Sequence, residues 1–213
     1  MTYHFRPLSP PHRSFWLQDA GARAATPPLG SDITTDVAIV GGGYLGLWTA
    51  LRLRAAAPQL KITVLEADIC GGGASGRNGG QVHSWWAEID LLTRLVGTEA
   101  ESLARATCDA IDELETLQTL GQIDMDLRLG GWLWTASSRA QEGAWDGAVK
   151  GGAGLRALDA AQIRARTGTD SSYLGVIEDR AGSVHPAKLA LGLRALALQR
   201  GITVHEATPV SRI

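Results

Sequence analysis

Two short apolar runs bracket a helical one near the amino terminus. Asp36–Val40 (DVAIV) is rich in β-branched residues and ends directly in glycines, which predicts a buried parallel strand. From Gly43 to Ala57 leucines recur at 47, 51 and 53, Gly46 is the sole breaker and Pro58 closes the run, so a helix is expected. Lys61–Glu66 (KITVLE) is a second strand, and strand–helix–strand at this spacing implies a right-handed parallel crossover.

The pattern then changes. Residues 71–81 (GGGASGRNGGQ) are too glycine-rich for a regular element and too few for a flexible linker, which predicts a loop whose backbone has a task. Thr98 and Glu101 have capping-box spacing, and Leu103, Thr107, Ala110, Ile111, Leu114 and Leu117 recur at helical intervals, giving a long amphipathic helix to about Leu120. Residues 127–135 alternate as a strand does, Asp159 with Gln162 is a second capping pair, and Tyr173–Ile177 is another strand. These strands predict a second sheet inserted into the first domain. Pro186 opens a helix with Leu189, Leu193 and Leu196 on one face, Gly201 ends it, and the strand Thr203–Ala207 follows. The expected division is an arm over 1–30, a nucleotide-binding part over 31–125 with the long helix, part of a substrate-binding sheet domain over 126–180, and a return to the first domain over 181–213.

Bulk properties narrow the partners. The 213 residues are 45% hydrophobic and carry a formal charge of −2, with 20 basic residues scattered along the chain, so no footprint for nucleic acid or an anionic membrane is expected. The uncharged run from Val37 to Leu51 is broken by four glycines and falls short of the roughly 20 residues a membrane span needs. Cys70 and Cys108 lie far apart, without metal-ligand or disulfide spacing, which fits a reduced, cytoplasmic setting. The first thirty residues lack a continuous apolar stretch and read as a docking arm anchored by Phe15 and Trp16.

Chemistry concentrates in the glycines. Gly41-Gly42-Gly43-Tyr44-Leu45-Gly46 is a G-x-G-x-x-G between an expected strand and helix: Gly41 for a tight turn, Gly43 for backbone approach to a pyrophosphate, Gly46 for helix packing on strand. The pyrophosphate would meet unpaired N–H groups at the positive end of the helix. Glu66 stands twenty residues after Gly46, where a carboxylate accepts from both ribose hydroxyls and repels a 2′-phosphate. NADP is thereby disfavoured, with NAD and FAD open. The second glycine loop favours FAD, which is longer and has more to hold. Ser75, Arg77 and Asn78 offer a hydroxyl, a cation and an amide for pyrophosphate and ribityl oxygens. His83 and Trp85-Trp86 follow that loop closely and are candidates for the face where substrate meets the flavin, with His83 the catalytic candidate. Trp132 and Trp134 fit alternation in the second sheet and need no functional role. No metal cluster or Ser-His-Asp arrangement stands out.

Together DVAIVGGGYLGLWTALRLRAA, VLEAD, GASGRNGGQ and VHPAKLALGLRALALQRGITVHEATPV resemble the D-amino-acid-oxidase-type FAD-dependent oxidoreductases, and within them the gamma-glutamylputrescine oxidoreductase branch. The likeness runs from about Phe15 to the end of the chain. It implies FAD, bound covalently or not, two-electron oxidation of a C–N bond in an amine or amino acid, and reoxidation of the flavin by oxygen or another acceptor. It also implies that Gly41, Gly43, Gly46 and Glu66 hold the ADP half, that Ser75, Arg77, Asn78 and Gln81 lie towards the flavin half, and that backbone groups at Val210 hold adenine. Val184-His185-Pro186 matches a recurrent helix entry of the family. The expected fold is therefore α/β: a Rossmann-type FAD-binding βαβ domain with the beginning of an inserted mixed-sheet substrate domain, truncated relative to the longer family members. A non-catalytic dinucleotide-binding module and an NAD-dependent dehydrogenase are the alternatives.

Overall fold

A computed structural model describes residues 14–21, 23–150 and 154–213. The first thirteen residues of the expected arm lie outside the described residues. The chain divides into two compact units, one of 1–80, 118–126 and 185–213, the other of 81–117 and 127–184. These units place most of the long helix with the second sheet, where the sequence reading put it before a boundary at 125.

In the first unit a short helix α1 (Phe15–Asp19) precedes β1 (Val37–Val40), α2 (Tyr44–Ala56) and β2 (Ile62–Leu65). The unit closes with α7 (Pro186–Gln199) and β8 (Thr203–His205). The three strands are parallel in the order β1-β2-β8, with Val37 opposite Ile62 and Thr63 opposite Thr203. Ile62, Thr63 and Val64 of the central strand are buried, whereas β1 alternates and leaves Val40 54% exposed. Its second edge has no partner among the described residues. Helix α7 is buried at nine of its 14 residues, Leu191 and Arg194 included, so it is a core helix with more than the one apolar face read from the leucines. His185 is its N-cap: Nδ1 accepts from the Lys188 N–H at 3.1 Å, and Pro186 follows at the first position.

The arm is held by a residue the sequence reading did not choose. Phe15 is 67% exposed, while Leu17 is 7% exposed and is the anchor, with Trp16 edge-on to the His185 ring at 4.9 Å.

In the second unit β3 (Gln81–Val82) is followed by α3 (Ile89–Val96) and α4 (Ala100–Thr119). Then come β4 (Trp132–Ala136), α5 (Asp146–Lys150), β5 (Leu155–Asp159), α6 (Ala160–Thr167), β6 (Leu174–Glu178) and β7 (Gly182–Ser183). The expected second sheet is present in the order β4-β6-β5, and every described pairing in this unit is antiparallel. Residues alternate across it as period 2 requires. Val176 packs with Ala136 and Trp145, while Ile177 packs with Leu158 and Ile163 of α6. The Asp159–Gln162 capping box forms as read, with bonds of 2.8 and 3.0 Å. The one expected at Thr98 does not: Thr98 sits inside a 3-10 turn, Gly97–Glu99, and α4 starts only at Ala100.

Candidate functional site: two glycine loops at the head of α2

The first glycine loop follows the local logic of its sequence. Gly41 has φ +105°, a conformation costly for a side chain bearing Cβ, and its N–H donates to Leu65 O at 2.8 Å, tying the loop to β2. A Cβ on Gly46 would collide with Gly41 O, so glycine there is what lets α2 lie against the turn. At Gly43 the protein leaves room. A Cβ there would meet only the Ser75 hydroxyl, at 3.0 Å. Gly43 is also the N-cap of α2, makes no side-chain cap bond, and no acidic residue occupies the first turn. The positive end of the helix is thus presented without a fixed counter-charge.

The second loop folds onto the first. Gly71 N–H donates to Gly42 O at 3.0 Å, and Tyr44 N–H, the first of α2, donates to Ser75 Oγ at 2.9 Å. The Ser75 oxygen occupies a position suited to an anionic oxygen at a helix head. Glu66, at the end of β2, accepts from Gly42 N–H at 2.6 Å through one oxygen and from Asp68 N–H at 2.9 Å through the other. A carboxylate oxygen can accept more than one bond, so each keeps acceptor capacity. Arg77 Nε donates to Gly72 O at 2.8 Å, and its Nη2 is buried with no hydrogen-bond partner among the described residues. Asn78 spends its side chain on the loop itself, with Nδ2 donating to Ala74 O and Ser75 O and Oδ1 accepting from Gly80 N–H. Val210 lies just beyond Thr208, whose N–H donates to Glu66 O at 2.8 Å.

Gly41, Gly43, Gly46, Glu66, Ser75, Arg77 and Asn78 are therefore gathered in the first unit, with Val210 on the segment that runs beside Glu66. Gln81 and His83 belong to the second unit, Gln81 on β3 opposite Ser183. The His83 ring stacks on Trp132 at 5.3 Å, and its Nδ1 lies 3.0 Å from Ser84 O. A carbonyl only accepts, so Nδ1 carries the hydrogen and Nε2 keeps a lone pair in the neutral ring. Trp86, read as a candidate for the substrate face, is 3% exposed in a cluster with Ile89, Ala100 and Ala104 and is core.

Several contributors escaped the motif. Gly42 is pressed against Cys70 Sγ, and Tyr44, besides its N–H, donates its hydroxyl to Pro186 O at 2.8 Å. Burial pushes the Tyr44 phenol pKa up, opposed by a side-chain bond from Asn78. Burial likewise pushes the Cys70 thiol far up, as do the nearby Glu206 and Glu66 carboxylates, which leaves it a protonated, inert packing group. Glu206 and Arg194 form an ion pair at 2.8 Å, with side chains 2% and 8% exposed. Two charges in otherwise apolar stretches were the signal for that pair. No group of three or more metal-ligating side chains exists among the described residues, and no described helix is long and apolar enough to cross a membrane.

Comparison with known proteins bears on this geometry. The chain is 34% identical over 209 residues to gamma-glutamylputrescine oxidoreductase of Escherichia coli, covering 94% of this chain and 48% of that one. It is 27% identical over 205 residues to a probable oxidoreductase OrdL of Haemophilus influenzae, covering 93% and 47%. It thus spans about half the length of these curated relatives. Among solved structures, an L-amino acid deaminase of Proteus vulgaris matches with TM-score 0.64 and 19% identity over 95% of this chain and 50% of that one. Glycine oxidase of Bacillus cereus matches with TM-score 0.60 and 19% identity over 82% and 46%, and at such identity both likenesses speak for the fold alone. Residues 36–213 match the family model described as FAD dependent oxidoreductase, and the chain belongs to this DAO family.

Proposed function

We propose that the chain supplies the ADP-binding part of an FAD-dependent oxidoreductase that oxidises a C–N bond of an amine or amino acid. The observation that carries the reading is the buried Arg77 Nη2, a charged donor without a partner among the described residues, in a loop folded onto a helix head that holds no acidic side chain in its first turn. Leaving such a donor unpaired costs free energy, and an anionic group brought to the loop would remove that cost. The space at Gly43 fits the same group.

Bound FAD would supply a two-electron acceptor for the hydride on the carbon next to nitrogen, and the imine left on the substrate is hydrolysed by water. The protein's part is binding and orientation. The head of α2 and Arg77 meet the pyrophosphate, Glu66 accepts from the ribose hydroxyls, and backbone groups at Val210 hold adenine. Ser75 shares the helix head, and Asn78 acts indirectly by fixing the loop. Gln81 is assigned to the flavin half. His83, its ring held by Trp132 and its Nε2 free to accept, is assigned to the substrate side. The name of the curated relative that is 34% identical, a gamma-glutamylputrescine oxidoreductase, supports an amino compound as substrate. FAD held by these residues would pass its electrons on to oxygen or another acceptor.

The test is purification of the full-length protein, a search for flavin absorbance, and its anaerobic bleaching by a panel of amines and amino acids. A colourless protein that takes up no added FAD would sink the reading. Flavin that no amino compound reduces would sink the substrate class alone.

A further inference from the structure

We propose that the described part of the amino-terminal arm, residues 14–21 and 23–29, is a strap that positions the second glycine loop, with Glu206 as the positioning residue that ties arm, α7 and loop together. The proposal rests on the FAD reading for its consequence: arm docking and FAD binding reinforce each other. Three sets of contacts carry it, all within the first unit.

The arm grips the loop directly. Ser14 Oγ donates to Gly76 O at 2.5 Å, and Leu17 Cγ and Cδ2 lie 3.2 Å from the place a Cβ on Gly76 would take. A Cβ at 76 would collide first with Gly71 O of the loop itself and would also press on Leu17, so the glycine serves the loop first and the seat of Leu17 second. The arm is also fastened to α7. Asp19 Oδ2 accepts from His185 Nε2 at 3.2 Å, which the Nδ1 bond to Lys188 N–H requires to carry the proton, and Ala24 O accepts from Arg194 at 2.9 Å.

Glu206 joins these contacts to the start of the loop. One carboxylate oxygen accepts from Cys70 N–H at 2.8 Å and Arg194 Nε at 3.1 Å; the other accepts from Arg194 Nη2 at 2.8 Å, Thr26 N–H at 2.7 Å and Thr26 Oγ1 at 3.2 Å. Five donors saturate a buried anion, so withdrawing the arm leaves two of its bonds unmade where water is scarce. The penalty falls on Glu206, whose other oxygen holds the N–H of Cys70, the residue from which the glycine loop springs. Binding FAD orders that loop, and by linkage whatever ordered loop favours FAD also favours a docked arm.

The experiment compares wild-type full-length protein with Ser14→Ala/Leu17→Ala, with Glu206→Gln, and with Phe15→Ser as a control on the exposed side of α1. Hydrogen exchange at residues 70–78 is followed without FAD, and FAD affinity by titration. The strap predicts faster exchange at 70–78 and FAD affinity lowered about tenfold in Ser14→Ala/Leu17→Ala, with Phe15→Ser unchanged in both. FAD should in turn slow exchange at 15–20 in wild type by a similar factor. Should Glu206→Gln fail to fold, the arm variant decides alone. Unchanged exchange at 70–78 in the arm variant overturns the strap. Faster exchange with unaltered FAD affinity overturns its link to the cofactor. A wild-type protein that binds no FAD overturns the functional reading, while exchange at 70–78 still judges the mechanical tie.

Discussion

At Gly43 one added side chain decides between an open and a filled helix head. Gly43→Val places branched carbon beside Ser75 Oγ, already 3.0 Å from where a Cβ would sit, and fills the space assigned to phosphate. The expected outcome is folded protein by circular dichroism with little or no bound flavin. Glu66→Gln keeps the shape and removes the charge, while hydrogen bonds to charged groups contribute about 1.5–3 kcal/mol. FAD affinity should fall by about tenfold or more in titration, and an unaltered affinity would take Glu66 out of the site. Arg77→Ala should lower FAD retention with little net change in stability, because it removes the Nε bond to Gly72 O together with a buried donor that no described residue satisfies. The glycine and carboxylate positions were legible because each has a steric or electrostatic reason that spacing alone conveys. Which donors bond to which acceptors was not. That Ser75 meets Tyr44 N–H depends on how two segments 31 residues apart come together, and that Asn78 turns back on its own loop depends on the local path of that loop.

Elements with a periodic pattern and a chemical signal at one end were read well. β1, α2, β2, α7 and β8 lie within a few residues of their expected bounds, and α6 begins at the expected cap. Short elements were missed for a physical reason. β5 follows a glycine-rich stretch and carries two charges in five residues, so only its pairing with β6 makes it a strand. α3 has a strong apolar stripe but only eight residues. Thr98 shows the converse, a cap spacing that tertiary context overrules. Asp159→Ala removes the side-chain half of a formed capping box, leaving the backbone N–H of residue 159 on Gln162 Oε1, and should cost about 0.5–2 kcal/mol. That is a fall in melting temperature of about 1–8 °C for a chain of this size, read by calorimetry. No change would mean that α6 is held by its packing through Ile163 alone.

At the scale of the whole molecule the buried Glu206–Arg194 pair makes stability depend on pH. Burial alone would raise the Glu206 pKa, but the Cys70 and Thr26 N–H donors and the Arg194 guanidinium outweigh it and hold the carboxyl below its ordinary range. The folded pKa is depressed, so this stability is present above the unfolded value and is lost as pH falls through the folded one. Acid titration followed by fluorescence should show it, and Glu206→Gln, though weaker at neutral pH, should lose less on acidification. The same contact also sets a timetable. Thr26 and Glu206 are 180 residues apart, and β8 joins a sheet whose other strands were made long before. At about 5–20 residues per second, a ribosome needs on the order of ten seconds or more to deliver Glu206 after Thr26. From the completion of β2 until β8 arrives, β2 has β1 beside it and its other edge awaits β8. The nascent chain therefore waits with an apolar strand uncovered, so slower translation before β8 should increase its capture by chaperones.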